Sequence, residues 1–152
     1  MNENKAGQPV VSQVEIEVFA HSTENVEKVK EAVSALLPEP RPSGFKVKVV
    51  RGHYGNPIRL LTLTVSEKEG AYTAVRNLFS RLQGKPKAYI VNTLSERMDA
   101  KGNLYLRFDK QSTLLGALNL RDDDPIRVRI RFRKKTDIPS LRQEILRFIL
   151  NK

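Results

Sequence analysis

An α+β fold is what this sequence predicts: a five-stranded, mostly antiparallel sheet with helices packed on one face, in the order β-α-β-β-α-α-β-α-β-α. Three observations carry that expectation. Short stretches of apolar and polar residues alternate with period two, as half-buried strands do. Between them lie stretches whose apolar residues recur at helical spacing. The 152 residues suffice for one domain with a real core and are too few for two comfortable ones. In such an arrangement the uncovered face of the sheet stays open to solvent or to a ligand.

Taken in order, residues 1–9 are polar, with Gly7 and Pro9, and are expected to form a disordered leader. The domain proper is expected over 10–133. Its first strand, about Val11 to Ala20, sets Val14, Ile16 and Val18 against Glu15, Glu17 and Phe19. His21-Ser22-Thr23-Glu24 opens a helix, with Ser22 or Thr23 as cap and Glu24 at the positive end of the dipole. Val26, Val29, Val33, Leu36 and Leu37 form its apolar stripe, and Pro38, Pro40 and Pro42 stop it. A second strand, Phe45 to about Arg51, and a third, Ile58 to Val65, flank Gly52-His53-Tyr54-Gly55-Asn56-Pro57, a hairpin tip.

Ser66-Glu67-Lys68-Glu69 has the form of a capping box before a helix that buries Ala71, Val75, Leu78, Phe79 and Leu82. Gly84 ends it. Pro86 starts a further helix to about Met98, with Ala88, Val91 and Leu94 inward. The fourth strand runs from Leu104 to Phe108, and Asp109 caps a short helix from Lys110 to about Leu118. The fifth strand is Ile126 to Arg133. Residues 134–152 form a linker and a last helix, capped by Thr136 or Asp137, that packs Leu141, Ile145, Phe148 and Ile149 on the domain.

The fifth strand holds the strongest functional signal. Ile126, Val128, Ile130 and Phe132 alternate with Arg127, Arg129, Arg131 and Arg133. A strand lines the four guanidinium groups along one face, with same-face neighbours roughly 6.6 Å apart. Arginine is suited to bidentate phosphate contact, so the row points to RNA or DNA. Against this stands the bland alternative, an ordinary solvated strand face neutralised by acids next door. Glu15 and Glu17 are the best placed to do that.

Bulk charge agrees with a polyanionic partner. The net charge is +10. Residues 1–84 hold eleven Lys and Arg against nine Asp and Glu, whereas residues 85–152 hold sixteen against eight. Cysteine is absent, which excludes disulfides, thiolate metal sites and a cysteine nucleophile. No apolar run approaches the ~18 residues of a membrane span, so a soluble cytoplasmic protein without membrane partners is expected.

Catalytic motifs are scarce. His21 and His53 show no ligand spacing, and no hydrolase, phosphate-loop or zinc-protease motif occurs. Neither a metal nor any other cofactor is expected. Asp122-Asp123-Asp124 is the one cluster that suggests a Mg-dependent nuclease, but consecutive residues of one strand cannot converge on one ion, and a polar turn before Pro125 explains them better. The chain is therefore expected not to be an enzyme. Further candidate RNA contacts are Lys46 and Lys48, which repeat the comb more weakly; Arg51, His53 and Tyr54 at the hairpin tip; Arg107 beside Tyr105; and Lys110 with Gln111 at a helix start.

Four stretches in order, His21-Ser22-Thr23-Glu24, Gly52 to Pro57, Leu106-Arg107-Phe108-Asp109-Lys110-Gln111 and Asp124-Pro125-Ile126-Arg127-Val128 within roughly residues 10–133, resemble an archaeal RNA-binding family described as a predicted exosome subunit. The resemblance implies a fold similar to the large-subunit ribosomal protein that binds 5S RNA. It also implies non-catalytic RNA binding, with exosome- or ribosome-related proteins as partners. An alternative is a protein-interaction subunit that docks on an RNA-degrading assembly.

Overall fold

A computed structural model describes residues 10–38, 44–133 and 137–150. The expected leader, Pro40 and Pro42, and Lys134 to Thr136 lie outside the described residues. Alternating branched residues put Val11–Ala20 in strand β1, whose Val14, Ile16, Val18 and Ala20 are buried while Glu15, Glu17 and Phe19 stay half-exposed. β1 is the middle of the sheet. It pairs antiparallel with β3 (Pro57–Val65) on one side and with β5 (Ile126–Phe132) on the other. β2 (Lys46–Arg51) adds outside β3, and β4 (Asn103–Phe108) outside β5, giving the order β2-β3-β1-β5-β4. The five-stranded antiparallel α+β expectation is met. Period-two patterning finds strands but not their neighbours, so this strand order was not derivable from the sequence.

The helices are α1 (Val26–Ser34), α2 (Lys68–Arg81), α3 (Gly84–Asn92), α4 (Lys110–Leu114) and α5 (Ile138–Leu150), with a 3-10 turn at Leu94–Arg97. Val14, Ile16, Leu61, Leu63, Leu106, Val128 and Ile130 share one core with Val33, Leu36, Val75, Leu78 and Phe79 of the helical layer. Each such side chain taken from water contributes about 1.5–3 kcal/mol, which fixes which parity of every strand faces inward. α5 joins the same layer. Leu141, Ile145, Phe148 and Ile149 are buried as expected, and the Phe148 ring lies 5.5 Å from Phe79 and 5.8 Å from Tyr72. Gly102, at φ +89°, takes the chain into β4 where a Cβ would come within 3.1 Å of Leu141.

Several local expectations are corrected. Asn25, not Ser22 or Thr23, caps α1, its Oδ1 accepting from the Glu27 and Lys28 amides at 2.9 and 3.2 Å. That leaves Glu24 free to turn back, where Oε1 accepts from the His21 amide. The capping box before α2 does not form; Glu67 is the cap residue and makes no side-chain bond there. The third helix stops at Asn92, because Thr93 turns its hydroxyl and amide back onto the Tyr89 carbonyl. Ile90, rather than Ala88, is its buried residue. α4 ends at Leu114, ahead of Gly116 at φ +96°. Val47 and Val49, which share the helix-side parity with Leu61, are nevertheless 49% and 57% exposed, since β2 lies beyond the edge of the helical layer.

Candidate nucleic-acid interface

Because the described helices cover only the inner parity, the other parity of all five strands forms one face that is open among the described residues. The register lines its residues into rows. One row runs Lys46, Thr62, Glu17, Arg127, Arg107 across all five strands. At the strand spacing of a sheet it is about 19 Å wide. Thr64, Glu15, Arg129 and Tyr105 form the next row, then Gln13, Arg131 and Asn103. On the other side, Lys48 and Leu60 adjoin Phe19. The face thus carries Lys46, Lys48, Arg107, Arg127, Arg129 and Arg131 against Glu15 and Glu17.

The four comb arginines are not equivalent. Arg129 Nη2 lies 2.8 Å from Glu15 Oε1, an ion pair with both partners about two-thirds covered. Arg127 Nη1 lies 3.5 Å from Glu17 Oε1 and the guanidinium sits 5.3 Å from the centre of the Phe19 ring. The two glutamates do neutralise part of the comb. Among the described residues no carboxylate pairs with Arg131 or Arg133, and both are exposed.

Arg107 stands directly opposite Arg127 in the register. Like charges placed so are unfavourable. The pair is held apart from full repulsion only by long contacts, Arg107 to Asp122 at 3.7 Å and Arg127 to Glu17 at 3.5 Å, and the two side chains are 54% and 50% exposed. An anion between them would relieve the clash. Tyr105, on the same face, donates its hydroxyl to Asp99 Oδ2 at 2.8 Å, which pushes the phenol pKa up. Burial pushes the Asp99 carboxyl up, but hydrogen bonds from Asn103, Tyr105 and Lys101 outweigh it and hold the pKa at about 2.

The hairpin tip projects from the end of the sheet nearest Arg107 and Arg127. Arg51 Nη1 donates to the Gly55 carbonyl at 3.1 Å and so braces the tip. Gly55 sits at φ +82°, which a side-chain-bearing residue would resist. His53 and Tyr54 pack edge to face with ring centres 4.8 Å apart, and Tyr54 is 87% exposed.

Lys110 does not belong to this surface. Its ammonium donates to the Phe19 carbonyl at 2.7 Å, to Glu24 at 3.0 and 3.2 Å and to Asp124 Oδ2 at 2.9 Å, with only 13% of the side chain exposed. The start of α4 is already filled, because Asp109 accepts from the Ser112 amide at 2.8 Å. Lys110 is thus a structural tie between β1, α1 and the turn before β5, and the expected phosphate contact at this helix start is withdrawn. His21 joins the tie, its Nε2 3.0 Å from Asp124 Oδ1. Nothing in the sequence spacing linked His21, Glu24, Lys110 and Asp124. Glu24, His21 and Asp124 come close enough to suggest a cation site, but the lysine ammonium already supplies the positive charge.

The three aspartates diverge. Asp122 faces Arg107, Asp123 faces Arg121 at 3.7 Å, and Asp124 meets Lys110. Among the described residues no helix is long and apolar enough to cross a membrane. Phe19, placed beneath Arg127, was a missed contributor. Its alternation with Glu15 and Glu17 was the available signal.

A family model described as RNA binding matches residues 13–132. A protein of Pyrococcus abyssi named as an RNA-binding protein is 33% identical over 130 residues, which cover 83% of this chain and 84% of its own. Two solved archaeal structures, both described as DUF54 proteins, share the fold. That from Archaeoglobus fulgidus superposes with a TM-score of 0.73 at 34% identity, over 91% of this chain and 96% of its own. That from Methanothermobacter thermautotrophicus gives 0.77 at 25% identity, over 93% and 99%.

Proposed function

We propose, since this chain belongs to the RNA-binding family, that the open face of its sheet is where RNA docks and that it binds without catalysing a reaction on it. The observation that carries this reading is the facing pair Arg107 and Arg127, two half-exposed guanidinium groups whose mutual repulsion a phosphate would turn into attraction. Arg131 and Arg133 extend the phosphate track along β5, Lys46 and Lys48 widen it, and Arg129 contributes field while held by Glu15. Phe19, Tyr105 and, at the tip, Tyr54 offer rings to unpaired bases, with Arg51 bracing the tip and His53 beside it. The diverging aspartates favour binding over hydrolysis. We place the protein in archaeal RNA processing, linked to the exosome or the ribosome. That assignment rests on the four stretches that resemble the exosome-labelled family and on the archaeal source of its relatives.

The test is fluorescence anisotropy with a labelled single-stranded RNA across a salt series, comparing the parent with Arg107→Gln plus Arg127→Gln. Each lost phosphate contact should flatten the slope of log affinity on log salt by about 0.7. Equal affinity and equal slope in the two proteins would remove the open face as the site.

A further inference from the structure

The two edges of the sheet are finished differently. The outer edge of β4 is closed at both ends by the chain itself. Met98 bridges Leu104, Leu120 bridges Phe108, and the Arg121 amide donates to the Arg107 carbonyl at 3.2 Å. The outer edge of β2 has no strand beside it among the described residues. Among the described residues, no backbone hydrogen bond reaches β2 except those from β3.

Which groups point outward follows from the hairpin. Arg51 pairs with Pro57, which has no N–H, while the Gly52 amide donates to the Asn56 carbonyl at 2.7 Å. Arg51 is therefore at a non-hydrogen-bonded position of the ladder, and by alternation so are Val49 and Val47. The amides and carbonyls of Val47, Val49 and Arg51 face away from β3. The side chains of this edge are also unfinished. Val47 and Val49 lie exposed on the helix side, and Lys46 and Lys48 lie exposed on the open face.

The molecule shows what such a strand pairs with. β5 has the same pattern, apolar inward and cationic outward, and its partner β1 presents Val14, Ile16 and Val18 inward and Glu15 and Glu17 outward, the acids meeting Arg129 and Arg127. We propose that the outer edge of β2 receives an extended segment of another protein in which acidic and apolar residues alternate, as an added strand. Its acids would meet Lys46 and Lys48, and its apolar residues would cover Val47 and Val49. A second copy of this chain fits poorly, since β2 against β2 sets lysine against lysine. Edge lysines also discourage such self-pairing.

The test is amide hydrogen exchange of the full chain with three probes: a short peptide alternating glutamate and valine, its lysine–valine counterpart, and a uridine oligonucleotide. With the glutamate peptide at ten times its dissociation constant, exchange at Val47, Val49 and Arg51 should slow about tenfold, with no such effect from the other two. Val49→Pro removes an outward amide that β3 does not use, and so should abolish the protection while leaving circular dichroism unchanged. Lys46→Glu with Lys48→Glu should reverse the preference toward the lysine peptide, which keeps the test decisive if the proline variant misfolds. Protection by neither peptide, by both equally, by the oligonucleotide alone, or by raising the protein concentration without peptide would each overturn the proposal.

Discussion

Arg129 and Glu15, cross-strand partners in β5 and β1, close to 2.8 Å, whereas the next pair along the same two strands, Arg127 and Glu17, stays at 3.5 Å. The comb is thus graded, from an arginine tied by a carboxylate to others with none among the described residues. Glu15 restrains the face more than it stabilises it. Replacing it (Glu15→Gln) should raise RNA affinity and steepen its salt dependence, while costing less than about 1 kcal/mol of stability, as expected for a partly exposed pair. Anisotropy and urea unfolding measure the two effects.

Replacing all four comb arginines by glutamine should lower affinity and flatten the salt slope with the fold intact, because the apolar parity of β5 is untouched. Arg131→Gln alone should account for about 0.7 of that slope. A filter-binding series at several salt concentrations, with circular dichroism alongside, reads both.

Lys110→Met should do the opposite. Removing the ammonium leaves Glu24 and Asp124 facing each other in a partly buried site, at a cost on the order of 3 kcal/mol. RNA affinity of the folded fraction should not change. Denaturant midpoints and anisotropy on the same preparation separate the outcomes.

Tyr54→Ala should weaken binding of single-stranded RNA by about 1–3 kcal/mol if a base stacks there, and leave the unfolding midpoint in place, given how little of Tyr54 is covered. An unchanged dissociation constant removes the tip from the interface.

Acid should loosen the β4 end of the sheet. Asp99 has its pKa held at about 2, below the ordinary 3.8, so the unfolded chain takes up its proton first as pH falls. The stability Asp99 supplies is complete above about pH 4 and is lost as pH drops toward 2. Asp109, lowered chiefly by the Ser112 amide, and Asp124, where ties to Lys110 and His21 outweigh burial, act in the same direction. Asp99→Asn should therefore show a shallower fall in urea midpoint between pH 5 and pH 2 than the parent.

The sequence disclosed the parities and little of the partnerships. Alternation alone separated Val14, Ile16 and Val18 from Glu15 and Glu17, and Ile126, Val128 and Ile130 from the arginines, because burial on one side leaves a period-two trace. It also suggested that Glu15 and Glu17 would meet the comb. It could not disclose that Arg107 faces Arg127, since cross-strand register depends on turns and on packing of the whole layer. Lys110 misled for a related reason: a lysine at a helix start looks free until Glu24 and Asp124, distant in sequence, are brought onto it. The exposure of Val47 and Val49 was not legible either, because alternation marks a face without saying how far the helices reach across it.

The strict parity of β5 has a consequence for how this strand can vary. A single residue inserted or deleted within Ile126–Phe132 would turn the guanidinium groups downstream of it into the packed interior and expose the aliphatic ones to water. A one-residue change in the length of this strand would therefore cost the packed interior and the cationic row together, unless a bulge such as the one between Val11 and Gln13 in the partner strand absorbs it.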